Sequence, residues 1–264
     1  MKKNIVILAA FAALVLSGCN EIIVTDPGDP VTKVFEIDGN YTALEISNAF
    51  DVYVDKDATD VTVTAGENVM PFVIVEEVDG TLKIHLKRFT TLHSGPLKAT
   101  VPYSKALKNV SLSGASSFNS DFPLVDEKVN VSASAASSFR AGVDSRFVYL
   151  DGSGASLFKG NVSASELTLD LSGASSVDIV GATEVLKFDM SGASKIMYNT
   201  KAGHYSLACK RSEGSISGAS RAYIHCDEAI EVRVSGASDL HYTGDADTSG
   251  SSTSGASHIY HDSL

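Results

Sequence analysis

Asp151, Asp170 and Asp189 recur at intervals of 19 residues, each two positions ahead of a Ser-Gly-Ala-Ser tetrapeptide. If successive copies stack as neighbouring strands, the three carboxylates lie about 4.8 Å apart in one row. Such a row could serve a calcium ion or acid–base chemistry on a polysaccharide. Like charges so close repel, and a solvated acidic stripe answers the same pattern. In other copies the column holds Ser111, Ser132, Ser215, Arg233 and Ser252. The Gly-Gly-x-Gly-x-Asp pattern of calcium-binding repeats is absent. The three aspartates are therefore the candidates for a cation, while the sequence assigns no metal and no cofactor.

Other reactive side chains are scattered. The seven histidines show no His-x-x-x-His spacing. His241, His258 and His261 approach one another near the C-terminal end, but the last two fall on opposite faces of a short strand. No Gly-x-Ser-x-Gly elbow occurs, and the corner serines have no adjacent histidine, so nucleophilic catalysis has little support. Tyr198, Tyr242 and His261 read as an inward row; Tyr149, Tyr205, Tyr223 and Tyr260 read as outward without forming a ladder. Cys209 and Cys226 are an even pair 17 residues apart, close to one repeat, and so a candidate disulfide between adjacent repeats, with two buried free thiols as the alternative.

The elements that must position these residues follow from the tetrapeptide. It starts at Ser113, Ser153, Ser172, Ser191, Ser217, Ser235 and Ser254, with the near-copy Ser134-Ala135-Ala136-Ser137. The intervals are 21, 19, 19, 19, 26, 18 and 19 residues. Runs such as Leu167-Thr-Leu-Asp-Leu171 alternate apolar and polar residues ahead of it, which marks half-buried strands. The second residue after its last serine is apolar in all eight copies, Phe118 to Ile259. Gly114, Gly154, Gly173, Gly192, Gly218, Gly236 and Gly255 supply the corners. These observations predict an all-β single-stranded β-helix, a solenoid of about 19-residue coils with Ser-Gly-Ala-Ser corners. A right hand is favoured because strand crossovers usually have it. The 26-residue interval predicts an extra loop. A less regular β region at the N-terminal side caps the rod.

The domain plan is a signal peptide over 1–18, a tether over 19–33, an N-terminal β region over 34–110 and the regular solenoid over 111–264. Met1-Lys2-Lys3, the apolar Ile5 to Leu16 and the ending Leu16-Ser-Gly-Cys19 resemble the signal of a bacterial lipoprotein, which implies acylation of Cys19. The expected location is the outer membrane or surface of a Gram-negative cell, held by that lipid. A formal charge of −11 argues against nucleic acid as a partner.

The run from Val34 to Lys87, with Ile46-Ser-Asn-Ala-Phe-Asp-Val-Tyr-Val54 and Gly80-Thr-Leu-Lys-Ile84, followed by Ser-Gly-Ala-Ser coils, resembles the DUF2807 family, whose members are described as auto-transporter adhesins with a head GIN domain. Ser47-Asn48-Ala49 departs from a literal Gly-Ile-Asn. The resemblance implies an exported, β-helical adhesin without catalytic residues. A glycan or protein ligand is expected. A polysaccharide-processing enzyme and a structural envelope protein without ligand are the alternatives.

Overall fold

The computed structural model describes residues 22–201 and 203–263; the signal segment and Cys19 lie outside the described residues. Among those described, the chain is all strand and turn, apart from one 3-10 turn at Met70–Phe72. The alternating runs form strands that pair in parallel with the equivalent run of the next repeat, an arrangement consistent with a β-helix. Leu157–Leu171 and Ser176–Met190 show it over 15 residues each, with Leu157 registered on Ser176 and Leu171 on Met190. The apolar column after each corner lies inside: Phe118, Phe139, Phe158, Val177, Ile196, Ala222 and Leu240 are all buried. The phenyl rings of Phe118 and Phe139 stack with centroids 5.4 Å apart.

Close approach of the corners dictates their composition. Gly173, Gly192, Gly218 and Gly236 hold φ between 68° and 77°, and their carbonyls accept from the alanine N–H one repeat later at 2.6–2.8 Å. The near-copy keeps the geometry with alanine: Ala135 adopts φ 61°. The last serine of each corner is buried, and in several corners its hydroxyl closes the turn. Ser116, Ser175 and Ser194 each donate to the carbonyl of the serine three residues earlier at 2.7 Å. Ser137, in the near-copy, has a buried hydroxyl without a partner. Ser175→Ala is therefore expected to cost about 1 kcal/mol, while Ser137→Ala is neutral or stabilising because it removes an unsatisfied group. Paired urea titrations check this; equal losses at both sites contradict it.

The N-terminal rungs do not follow chain order. Ala43–Ile46 lies between Thr81–Leu86 and Asn109–Leu112, pairing in parallel with both. Thr81–Leu86 is in turn covered by the antiparallel strand Val73–Val78. Asp79 and Gly80, with φ of 51° and 72°, make the two-residue turn between them, as an Asp-Gly pair predicts. The segment expected as a tether is instead partly strand. Ile22–Val24 pairs in parallel with Thr90–Leu92, and Pro30–Phe35 runs antiparallel to Val61–Gly66. Pro30 reads as a breaker in sequence, but it is the first residue of an edge strand, where its missing N–H costs nothing.

Candidate functional site

The aspartate column forms as expected but does not converge. Asp151, Asp170 and Asp189 are registered partners, followed by Ser215, Arg233 and Ser252 on succeeding strands. Each carboxylate stands one strand further along the sheet. Tyr149 donates to Asp170 at 3.4 Å and Ser215 to Asp189 at 2.5 Å. Burial, then the charge of Asp170, pushes the Asp151 carboxyl above its ordinary range. In the next column Lys187 bridges Glu166 at 2.9 Å and Glu213 at 3.5 Å. Among the described residues no three His, Cys, Asp or Glu side chains are grouped to hold a metal ion. The three C-terminal histidines likewise have separate partners: His241 Nδ1 meets Asp262 at 2.9 Å, His258 Nδ1 meets Asp239 at 3.6 Å, and His261 stacks on Tyr242.

Cys209 and Cys226 are registered on adjacent strands, as their spacing suggested, but both are free and buried rather than joined. Side chains in register on parallel strands point the same way. This keeps their Cβ atoms about 4.8 Å apart, against the roughly 3.8 Å that a disulfide prefers. Each thiol also meets backbone carbonyls: Cys209 that of His225 at 3.4 Å, Cys226 those of Lys210 and Ala229 at 3.3 Å. The hydrogen bond to Cys226, then burial, pushes the Cys209 thiol up. Ellman titration of the soluble chain starting at Ile22, without reductant, is expected to find no reactive thiol when folded and two per chain in guanidinium. None in guanidinium would mean a disulfide.

The second exposed face is the column three residues past each corner, and here the sequence reading missed most. Tyr53, Asn119, Arg140, Lys159 and Asp178 are registered in turn. Further along, Tyr223, His241 and Tyr260 continue the same column. Their rings stack with centroids 4.8 and 4.7 Å apart. Of the four tyrosines read as outward, Tyr223 and Tyr260 therefore do form a ladder with His241 as its middle ring, whereas Tyr149 lies in another column, registered on Thr168, and Tyr205 is buried. Tyr198 is not inward: it is 56 % exposed and stands edge-on to Tyr223 at 5.2 Å. It sits where the long interval begins, ahead of the small antiparallel pair Thr200–Lys201 and His204–Tyr205 that forms the expected extra loop. Asp262 ties the end together, accepting from the Tyr205 hydroxyl and meeting His241. Burial, then that hydrogen bond, raises the Tyr205 phenol.

Beside the polar half of this column runs an open groove of ≈ 1010 Å³, lined by Tyr53, Asn119, Arg140, Lys159, Asn161 and Ser163 among others. Lys159 pairs with Asp178 at 2.7 Å. Tyr53 donates to Asp51 at 3.0 Å, and Asn119 Nδ2 donates to Asp51 at 3.0 Å and to the Val52 carbonyl at 3.2 Å. Among the described residues Arg140 has no carboxylate within 4.0 Å, whereas Arg146, Arg211 and Arg221 pair with Glu127, Glu228 and Asp239.

The fold has solved counterparts. A protein from Parabacteroides merdae described as a putative adhesin aligns with a TM-score of 0.77 at 19% identity, covering 91% of this chain and 99% of its own. A putative adhesin from Parabacteroides distasonis gives 0.77 at 20%, covering 90% and 99%. A protein of that organism described as a putative lipid binding protein gives 0.72 at 19%, over the same shares of 90% and 99%. At these identities the likeness establishes the fold. No curated protein matches the sequence. The family model described as "Putative auto-transporter adhesin, head GIN domain" matches residues 40–246, a span that holds the groove, most of the corners and the rungs that run out of chain order, and this chain therefore belongs to the DUF2807 family.

Proposed function

We propose that this chain is a lipid-anchored binding protein of the cell envelope, a right-handed β-solenoid that holds a glycan or protein ligand without chemical turnover. One observation carries the reading: registered stacking turns single outward residues into continuous columns, so a repeat chain presents a long, fixed face beside an open groove. Such surfaces are what repeat architectures use to bind. The family description and the adhesin neighbours support the same reading. Cys19 is the attachment point, with acyl chains contributing about 0.8 kcal/mol for each buried CH₂, and the outer membrane or surface of a Gram-negative cell is the proposed location.

Three measurements test it. Cys19→Ser is expected to move the protein from the membrane fraction to the soluble fraction, and protease shaving of intact cells to remove the wild-type domain. The soluble chain starting at Ile22 is expected to bind at least one component on arrays of glycans, matrix proteins and envelope material. Silence on all of them ends the binding reading.

A further inference from the structure

We propose that the groove beside Tyr53, Asn119 and Arg140 takes a carboxylated sugar residue of a glycan, with Arg140 as its anion contact. The inference rests on the binding reading above and names the ligand class of that site. Arg140 is exposed and has no carboxylate partner among the described residues, although acidic residues outnumber basic ones by 32 to 21 in the chain. Its registered neighbours are Asn119 and Lys159, and the Lys159 charge is already engaged by Asp178. An open guanidinium in a groove suits the planar, two-oxygen geometry of a carboxylate.

The surroundings select a sugar. Asp51 fixes the Tyr53 hydroxyl while the residue stays 48 % exposed, which leaves an aromatic surface at the groove edge. Asn119 spends its amide N–H groups on Asp51, Val52 and Ser117, so its carbonyl oxygen remains as an acceptor for a hydroxyl. Asn161 and Ser163 add donors and acceptors along the wall. An extended peptide would be held by adding to a free strand edge. Here Ser117–Asn119 and Ser138–Arg140 are paired on both sides, so only side chains face the ligand. Asp121 and Asp144 also line the groove, which disfavours a dense polyanion and favours one carboxylate in an otherwise neutral chain.

The test uses the soluble chain starting at Ile22, titrated calorimetrically with 3′-sialyllactose, trigalacturonate, lactose and hexaglutamate. 3′-Sialyllactose, with one carboxylate on an otherwise neutral glycan, is expected to bind 10-fold or more tighter than lactose and tighter than trigalacturonate, whose every residue is charged. Arg140→Ala is expected to weaken that binding 10-fold or more, with unchanged thermal melting. Arg233→Ala, on the other exposed face, is expected to leave it intact. Equal binding by Arg140→Ala and wild type, or lactose binding as tightly as the acidic sugars, overturns the site. So does binding of hexaglutamate alone. If array ligands still bind while Arg140→Ala has no effect, the carboxylate site fails and the binding reading stands; if wild type binds nothing, both fail.

Discussion

Gly192→Ala is expected to be among the most damaging single-methyl additions in the molecule, lowering stability by about 3 kcal/mol or more. Two effects add. The backbone sits at φ 71°, where a side chain costs roughly 1–2 kcal/mol. A Cβ there would also lie 2.4 Å from the Gly173 carbonyl oxygen and 3.0 Å from its nitrogen. That carbonyl cannot retreat, because it accepts the Ala193 N–H at 2.6 Å. Gly39→Ala isolates the first effect. Gly39 has a similar φ of 74°, but its added Cβ meets nothing within 4 Å, so a loss of about 1 kcal/mol is expected. Urea melts of the two variants give the comparison. Equal losses would mean that the corners are not in stacked contact, and the parallel-register account of the repeat would fall with them.

How far the sequence foretells this structure depends on whether a feature is local. The corners and the inward column are legible because each copy carries its own signal: a residue with positive φ, a small neighbour, and an apolar side chain two positions on. The Asp79-Gly80 hairpin is legible for the same reason. The order of the first rungs is not. Placing Ala43–Ile46 between Thr81–Leu86 and Asn109–Leu112 is decided by long-range pairing, which leaves no mark within either strand. Pro30–Phe35 was hidden because an edge strand tolerates the proline and exposed residues that otherwise read as a linker. The exposed column three residues past each corner was hidden by its changing chemistry. Residue types run from Tyr53 through Asn119, Arg140 and Lys159 to Tyr223, His241 and Tyr260, and only the register shows that they form one line. The spacing from the corner was in the sequence throughout; what it lacked was a shared residue type.

Phe158→Ala is expected to cost about 3–5 kcal/mol, the range for deleting a fully buried phenyl group. Phe158 is 0 % exposed and registered between Phe139 and Val177 in the inward column. Its ring explains an otherwise isolated glycine: a Cβ on Gly152 would lie 2.8 Å from Phe158 Cε2 and 3.0 Å from Leu171 Cδ2. With the ring gone, paired strands on both sides hold the backbone apart, so the interior has little freedom to collapse and the cavity persists. Ile259 holds the same column on the terminal rung and is only partly buried, so Ile259→Ala should cost about 1 kcal/mol, a fraction of the full core penalty. Because each rung contacts mainly its neighbours, the damage from Phe158→Ala should also be local. Hydrogen exchange is expected to quicken first in Val143–Gly152, Leu157–Leu171 and Ser176–Met190, ahead of Asp239–Thr243. A loss under 1 kcal/mol, or exchange that rises evenly along the chain, would show that the inward column does not fill a narrow interior rung by rung.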